Sequence, residues 1–127
     1  MKVTAVKTHK ITTRDSNILE IIDAYAPPLA EESVLAVTSK IVALAQGRVV
    51  QRKEDKDELI KKEADWWLPR SSSKYDFMLT IKDNILLPSA GIDESNVKEG
   101  MVLWPENPQE VANEIRGYLA EKYGLFK

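Results

Sequence analysis

FMLTIKDNILLP, residues 77–88, decides the fold class. Phe77 to Lys82 and Ile85 to Pro88 each have the apolar and β-branched make-up of a strand. Asp83-Asn84 between them carries the turn chemistry of a hairpin. Around this hairpin, predicted strands and helices interleave irregularly. That pattern favours an α+β domain over a doubly wound parallel sheet. The expectation is one domain over residues 1–127, with no repeat, low-complexity tract or linker.

Upstream of the hairpin, RSSSK (70–74) is a polar loop. Before it, Asp55 with Glu58 forms a capping-box pair, and the helix it opens is predicted from Lys56 to about Trp67, stopping before Pro69. Leu59, Ala64, Trp66 and Trp67 are assigned to its apolar contacts, and the mixed charges of QRKEDKDELIKKE to a solvated face. Arg48 to Val50 reads as a short strand, and Lys40 to Ala45 as a short helix capped by Ser39 and ended by Gly47. Ser33 to Thr38 is an apolar run read as a buried strand. Asn17 with Glu20 starts another helix, with Ile18, Ile22 and Tyr25 on one face and Pro27-Pro28 as its stop. Val3 to Ile11 is predicted as a strand that turns polar from Lys7.

Downstream, AGIDESNVKEG (90–100) is a loop and Met101 to Trp104 a strand. Asn107, Pro108 and Glu110 occupy cap, first-turn and capping-box positions of a last helix. Val111, Ile115, Leu119 and Lys122 share a face of it, and Gly124 follows as its C′ residue. The total is about five strands and four helices.

Composition narrows the chemistry. With 43% hydrophobic and 30% charged residues, the chain is globular rather than disordered. A net charge of −2 gives no electrostatic footprint for nucleic acid, and no basic stripe suits a membrane surface. Without cysteine there are no disulfides, thiolate nucleophiles or Cys-type zinc sites. His9 is the one histidine, which excludes a two-histidine zinc site and makes any Ser-His-Asp arrangement depend on it. The opening MKVTAVKTHKITT has no apolar stretch of signal-peptide type, and no run reaches spanning length, so a cytoplasmic protein is expected. Carboxylates, a hard metal, lysines and backbone amides are left as the working groups.

Two segments concentrate such groups. VTSKI (37–41) runs a strand into a helix start, where free amides and Lys40 suit a phosphate; the same residues also make an ordinary Ser-capped helix with an exposed lysine. There is no P-loop pattern. AGIDESN (90–96) places Asp93, Glu94, Ser95 and Asn96 in one turn, with oxygens of the kind magnesium or manganese prefers; the same residues also make a turn capped by Asp93 or Ser95. Trp66-Trp67 suits either stacking on a heterocycle or packing, with packing favoured. Arg70 and Lys74 around three serines suit an acidic substrate, against the simpler reading of a solvated loop.

Together V-T-S-K-I-V-A-L-A-Q-G-R-V-V (37–50), S-A-G-I-D-E-S-N-V (89–97) and L-W-P-E-N-P (103–108) with its following helix resemble the gamma-glutamyl ligase family of coenzyme F-420 biosynthesis, in order and rough separation. The A-G-I-D-x-S-N block is the specific part. The resemblance implies a GTP-dependent ligase using magnesium or manganese. It would join the amine of L-glutamate to a carboxylate on the tail of a deazaflavin acceptor, or of a folate-type acceptor in the related branch. It also implies nucleotide contacts from His9, Lys10, Ile11, Thr12, Ser39, Lys40 and Asn96, with Asp93 as a metal ligand. No catalytic side chain is assigned.

The family carries a lysine where this chain has Leu44. If that position faces phosphate, affinity falls or Lys10 or Arg48 substitutes; otherwise Leu44 is a core residue. The family also continues past the helix that ends this sequence, into an Asp-Thr motif with further metal ligands. The expectation is therefore an N-terminal portion inactive by itself. It would act as a homodimer or be completed by a separate portion. The alternative is a non-catalytic domain of the same ancestry that binds nucleotide or a partner.

Overall fold

The structure, a computed structural model, describes residues 2–94 and 100–126. They pack as two compact units, Arg48–Trp104 and the two segments Met1–Gly47 with Pro105–Lys127. Four α-helices and two small antiparallel sheets give the expected α+β class. No helix among the described residues is long and apolar enough to cross a membrane.

In the Arg48–Trp104 unit the hairpin forms as read. Strands β3 (Leu79–Lys82) and β4 (Ile85–Pro88) pair from Lys82↔Ile85 to Leu79↔Pro88. Asp83 and Asn84 both take positive φ, 51° and 62°, the mirror-image turn that matches strand twist. A third strand, β2 (Trp66–Leu68), adds to the other edge of β3 with Trp66 opposite Ile81. This corrects the long helix expected through Trp67. Helix α3 (Lys56–Glu63), capped by Asp55 accepting from the Glu58 amide, ends at Glu63, and Ala64 is extended. The Asp65 amide then donates to the Ile81 carbonyl at 2.9 Å, and the Asp65 carboxylate accepts the Asp83 amide at 2.8 Å. The edge of β3 offers ladder bonds that no local helix signal anticipates, and tryptophan suits a strand.

Trp66 and Trp67 are consequently exposed, at 74% and 43%, and do not supply core contacts. Trp66, Ile81 and Leu86 lie in register on one face of this sheet. The opposite face buries Thr80.

The core of this unit gathers Leu59, Ile60, Met78, Ala90, Met101 and Leu103. A second sheet closes it. Strand β1 (Val49–Val50) pairs antiparallel with β5 (Met101–Val102), shorter than the strand expected to Trp104. Gly100 enters β5 at φ 143°, where a Cβ would lie 1.9 Å from the Val50 carbonyl oxygen, so only glycine lets the two strands meet there. Lys82 and Arg48 both reach the half-buried Glu63 carboxylate, and Lys82 also donates to the Glu63 carbonyl at 2.7 Å.

In the other unit, α1 (Ile18–Tyr25), α2 (Ser39–Ala45) and α4 (Pro108–Tyr123) supply the structure. Asn17 caps α1 by accepting from the Leu19 amide at 3.0 Å, and α1 stops ahead of the two prolines. Ile22, Ile115 and Leu119 form the buried centre, as the apolar faces of α1 and α4 predict. Lys122 does not merely edge that face: it donates to the Asp23 carboxylate, as does the Tyr118 hydroxyl, tying α4 to α1.

Two expected strands are absent among the described residues. Val3 to Ile11 joins no sheet among the described residues, and Val3 is 81% exposed. Ser33 to Thr38 is likewise unpaired: Leu35 and Val37 touch the buried centre while Val34 is 91% exposed. Strand-like composition needs a partner edge to become a strand, and neither segment has one.

Candidate functional site

The His9–Thr12 loop is built around a residue the motif reading passed over. Asp15 accepts the Thr12 amide at 2.8 Å through one carboxylate oxygen and approaches His9 Nε2 at 2.8 Å through the other. The Thr12 hydroxyl adds a longer bond at 3.4 Å. His9 Nδ1 lies 2.5 Å from the Tyr25 hydroxyl at the end of α1. The Thr12 amide, with His9 beside it, holds the Asp15 carboxyl below the usual carboxylate range against the opposing effect of desolvation. The T-x-x-D spacing was a usable sign, since such residues bond local backbone. Tyr25 was not legible, because its contact is made across the fold. Lys10 is exposed, and Ile11 is half-buried.

At the next motif the cap is Thr38, not Ser39. The Thr38 hydroxyl accepts the Ile41 amide at 3.4 Å, and Ser39 is the first residue of α2, exposed, with Lys40 half-buried behind it. A Thr-Ser pair leaves the cap ambiguous by one residue, and backbone geometry decides it. Leu44 is 8% exposed, within a buried run from Val42 to Ala45. Four consecutive helical residues cover most of a helix circumference, so this turn of α2 is enclosed and Leu44 is a core residue. Arg48 does not stand in as a spare cation either: its guanidinium holds Glu63 and donates to the Trp104 carbonyl at 3.2 Å.

Asp93 lies in the Arg48–Trp104 unit, on an unusual approach. Ser89, Ala90 and Gly91 all have positive φ, 53°, 51° and 71°. Such a turn is strained for the two residues with side chains. Buried Thr80 holds it: its hydroxyl accepts the Ala90 amide at 2.8 Å and donates to the Leu87 carbonyl at 2.6 Å. Gly91 passes so close to Trp104 that a Cβ would lie 2.6 Å from its ring. The turn delivers Ile92 to the core and sets Asp93 opposite Val102, with backbone bonds of 2.8 and 2.9 Å. Asp93 is thus half-exposed on a fixed backbone.

Its neighbour Glu94 is engaged by Lys56 at 3.0 Å. Asn96 falls outside the described residues. Among the described residues no group of three or more metal-binding side chains converges. Asp93 is a carboxylate, the oxygen donor type that hard divalent ions take.

Arg70 is not available to a substrate: its guanidinium grips Asp57 in a fork at 2.7–3.0 Å. That contact, above all its hydrogen bonds, keeps the Asp57 carboxyl below its usual range. The pinned 70–76 loop borders a groove of about 240 Å³ lined by Leu68, Ser72, Lys74, Tyr75, Phe77 and Leu79. His9 to Thr12, Ser39 and Lys40 therefore share one unit, while Asp93 belongs to the other.

Comparison with protein families agrees with the motifs. The family model described as F420-0:gamma-glutamyl ligase matches residues 5–126, a span that contains every candidate residue above. A match over nearly the whole length shows that this chain belongs to the F420-0:gamma-glutamyl ligase family.

Proposed function

We propose that this chain serves GTP-dependent ligation of L-glutamate to the F420-0 tail, with magnesium or manganese. The observation that carries the reading is the family match over residues 5–126, with the 9–15 loop and Asp93 both inside it. The acceptor carboxylate takes the γ-phosphoryl group of GTP and GDP leaves. The amine of glutamate then attacks the acyl carbon, an amide forms and inorganic phosphate departs. Such transfer is governed by positioning and by charge placed on phosphate oxygens. Lys10 and Lys40 supply cations for the triphosphate, and Ser39 at the first turn of α2 a hydroxyl. Asp93, in the Arg48–Trp104 unit, is proposed by itself as a ligand for a divalent ion, a group that offsets phosphate charge when bound.

Calorimetric titration of the chain with GTP, with and without manganese, tests this. GTP should bind more tightly than ATP and more tightly with metal. Asp93→Asn keeps the shape but loses the charge. It should weaken metal-dependent binding about tenfold or more, equivalent to at least about 1.4 kcal/mol. Stability should change by only about 1 kcal/mol, the scale of a lost turn cap. Equal affinity for GTP and ATP, or unchanged metal dependence in Asp93→Asn, would overturn the reading. Titration with F420-0 against a folate decides the acceptor.

A further inference from the structure

Both ring nitrogens of His9 are already engaged within the protein. A carboxylate has only lone pairs to offer, so in the neutral imidazole it is Nε2–H that donates to Asp15 at 2.8 Å. Nδ1 is then the acceptor, and the Tyr25 hydroxyl donates to it at 2.5 Å. Asp15 passes the chain on by accepting the Thr12 amide at 2.8 Å, and the Asp15 amide returns a bond to the Thr12 carbonyl at 3.0 Å. The loop is thus pinned at both ends: at Thr12 by Asp15, and at His9 by Asp15 and by Tyr25 of α1. Between the pins, the amides of Lys10 and Ile11 have no protein partner among the described residues.

We infer that Tyr25, His9, Asp15 and Thr12 form a hydrogen-bonded clamp that presets the loop for a nucleotide phosphate. Lys10 and the two unpaired amides are the contacting groups. Asp15 and Tyr25 are positioning residues, and His9 is a strut rather than a nucleotide contact. The inference rests on the nucleotide reading proposed above. Its physical basis is preorganisation: a loop ordered before the ligand arrives does not take its ordering cost out of the binding energy. The partners are also poorly placed to serve the fold alone. The His9 side chain is 48% exposed, and solvent-exposed ion pairs and hydrogen bonds add little to stability.

His9 being the only histidine, its ring nitrogens give a one-site ¹⁵N spectrum of the full chain. In its neutral form the parent's imidazole should show the Nε2–H tautomer. Asp15→Asn replaces the carboxylate's two charge-assisted bonds with neutral ones about half as strong, and its NH₂ donating to Nε2 moves the imidazole proton to Nδ1, so the clamp is loosened. GTP with magnesium should bind Asp15→Asn about tenfold more weakly or worse. Tyr25→Phe should weaken binding severalfold with Nε2–H retained, and it keeps the test open if Asp15→Asn fails to fold. A role confined to fold stability would change melting and leave affinity alone.

An Nδ1–H tautomer in the parent would overturn the clamp. So would GTP affinity in Tyr25→Phe and Asp15→Asn equal to the parent's. Failure of GTP to bind the parent would instead overturn the nucleotide reading, and this assignment with it.

Discussion

Thr80→Val should cost more than Thr80→Ser, the reverse of what hydrophobicity in a core would suggest. Thr80 is 1% exposed, and its hydroxyl serves the Ala90 amide and the Leu87 carbonyl together. Valine fills the same space, so no cavity forms, but the Ala90 N–H is left buried without an acceptor. A buried donor so orphaned costs about 1–3 kcal/mol, and the lost bond to Leu87 adds about 0.5–1.5 kcal/mol. The carbonyl suffers less because its second lone pair can keep a partner. The sum is roughly 2–4 kcal/mol, a large fraction of the about 5–15 kcal/mol that holds a domain together. Serine keeps both bonds and loses one methyl, about 1 kcal/mol.

The assay is urea unfolding followed by tryptophan fluorescence. Trp66, Trp67 and Trp104 are the chain's only three tryptophans, and all lie in the Arg48–Trp104 unit, so the signal reports the unit that contains Thr80. Hydrogen exchange at the Ala90 amide should speed up in Thr80→Val and not in Thr80→Ser. A valine variant with a midpoint equal to or above the serine variant's would refute the hydroxyl's role as the strap on the strained turn before Asp93.

Leu44→Lys should destabilise the fold by about 2–5 kcal/mol, the scale of losing a buried leucine, with the burial of a charge added. Thermal melting by circular dichroism checks this; tighter GTP binding with an intact fold would show that residue 44 faces phosphate after all. Asp23→Asn should flatten the acid limb of stability. The Lys122 hydrogen bond first, and that of Tyr118 next, lower the Asp23 carboxyl in the folded chain below 3.8. A depressed folded value means that the contribution is present above that pH and is lost as pH falls through the folded value. Parent and variant should therefore differ near neutrality and converge at strongly acid pH. Melting curves that stay parallel across the range would remove Asp23 from the account.

What could be read locally was read from residues whose physics is local. The Asp83-Asn84 turn, the Asn17 and Asp55 caps, the Pro27-Pro28 stop and the apolar stripes of α1 and α4 depend only on near neighbours, and each is found in the structure. The motifs at 37–50 and 89–97 pointed to the family in the same way, and the family match spans both.

Tertiary structure decided everything that needed a distant partner. Val3–Ile11 and Ser33–Thr38 have strand composition and join no sheet edge among the described residues, while Trp66 and Trp67 were claimed by β3 against a helical reading. Leu44 became a core residue because its whole turn of helix is enclosed. Asp15 gained its place through His9 and Thr12, and His9 through Tyr25, sixteen residues away along the chain. Hydrogen bonds and burial act through space, so a linear sequence carries their ingredients without their pairing.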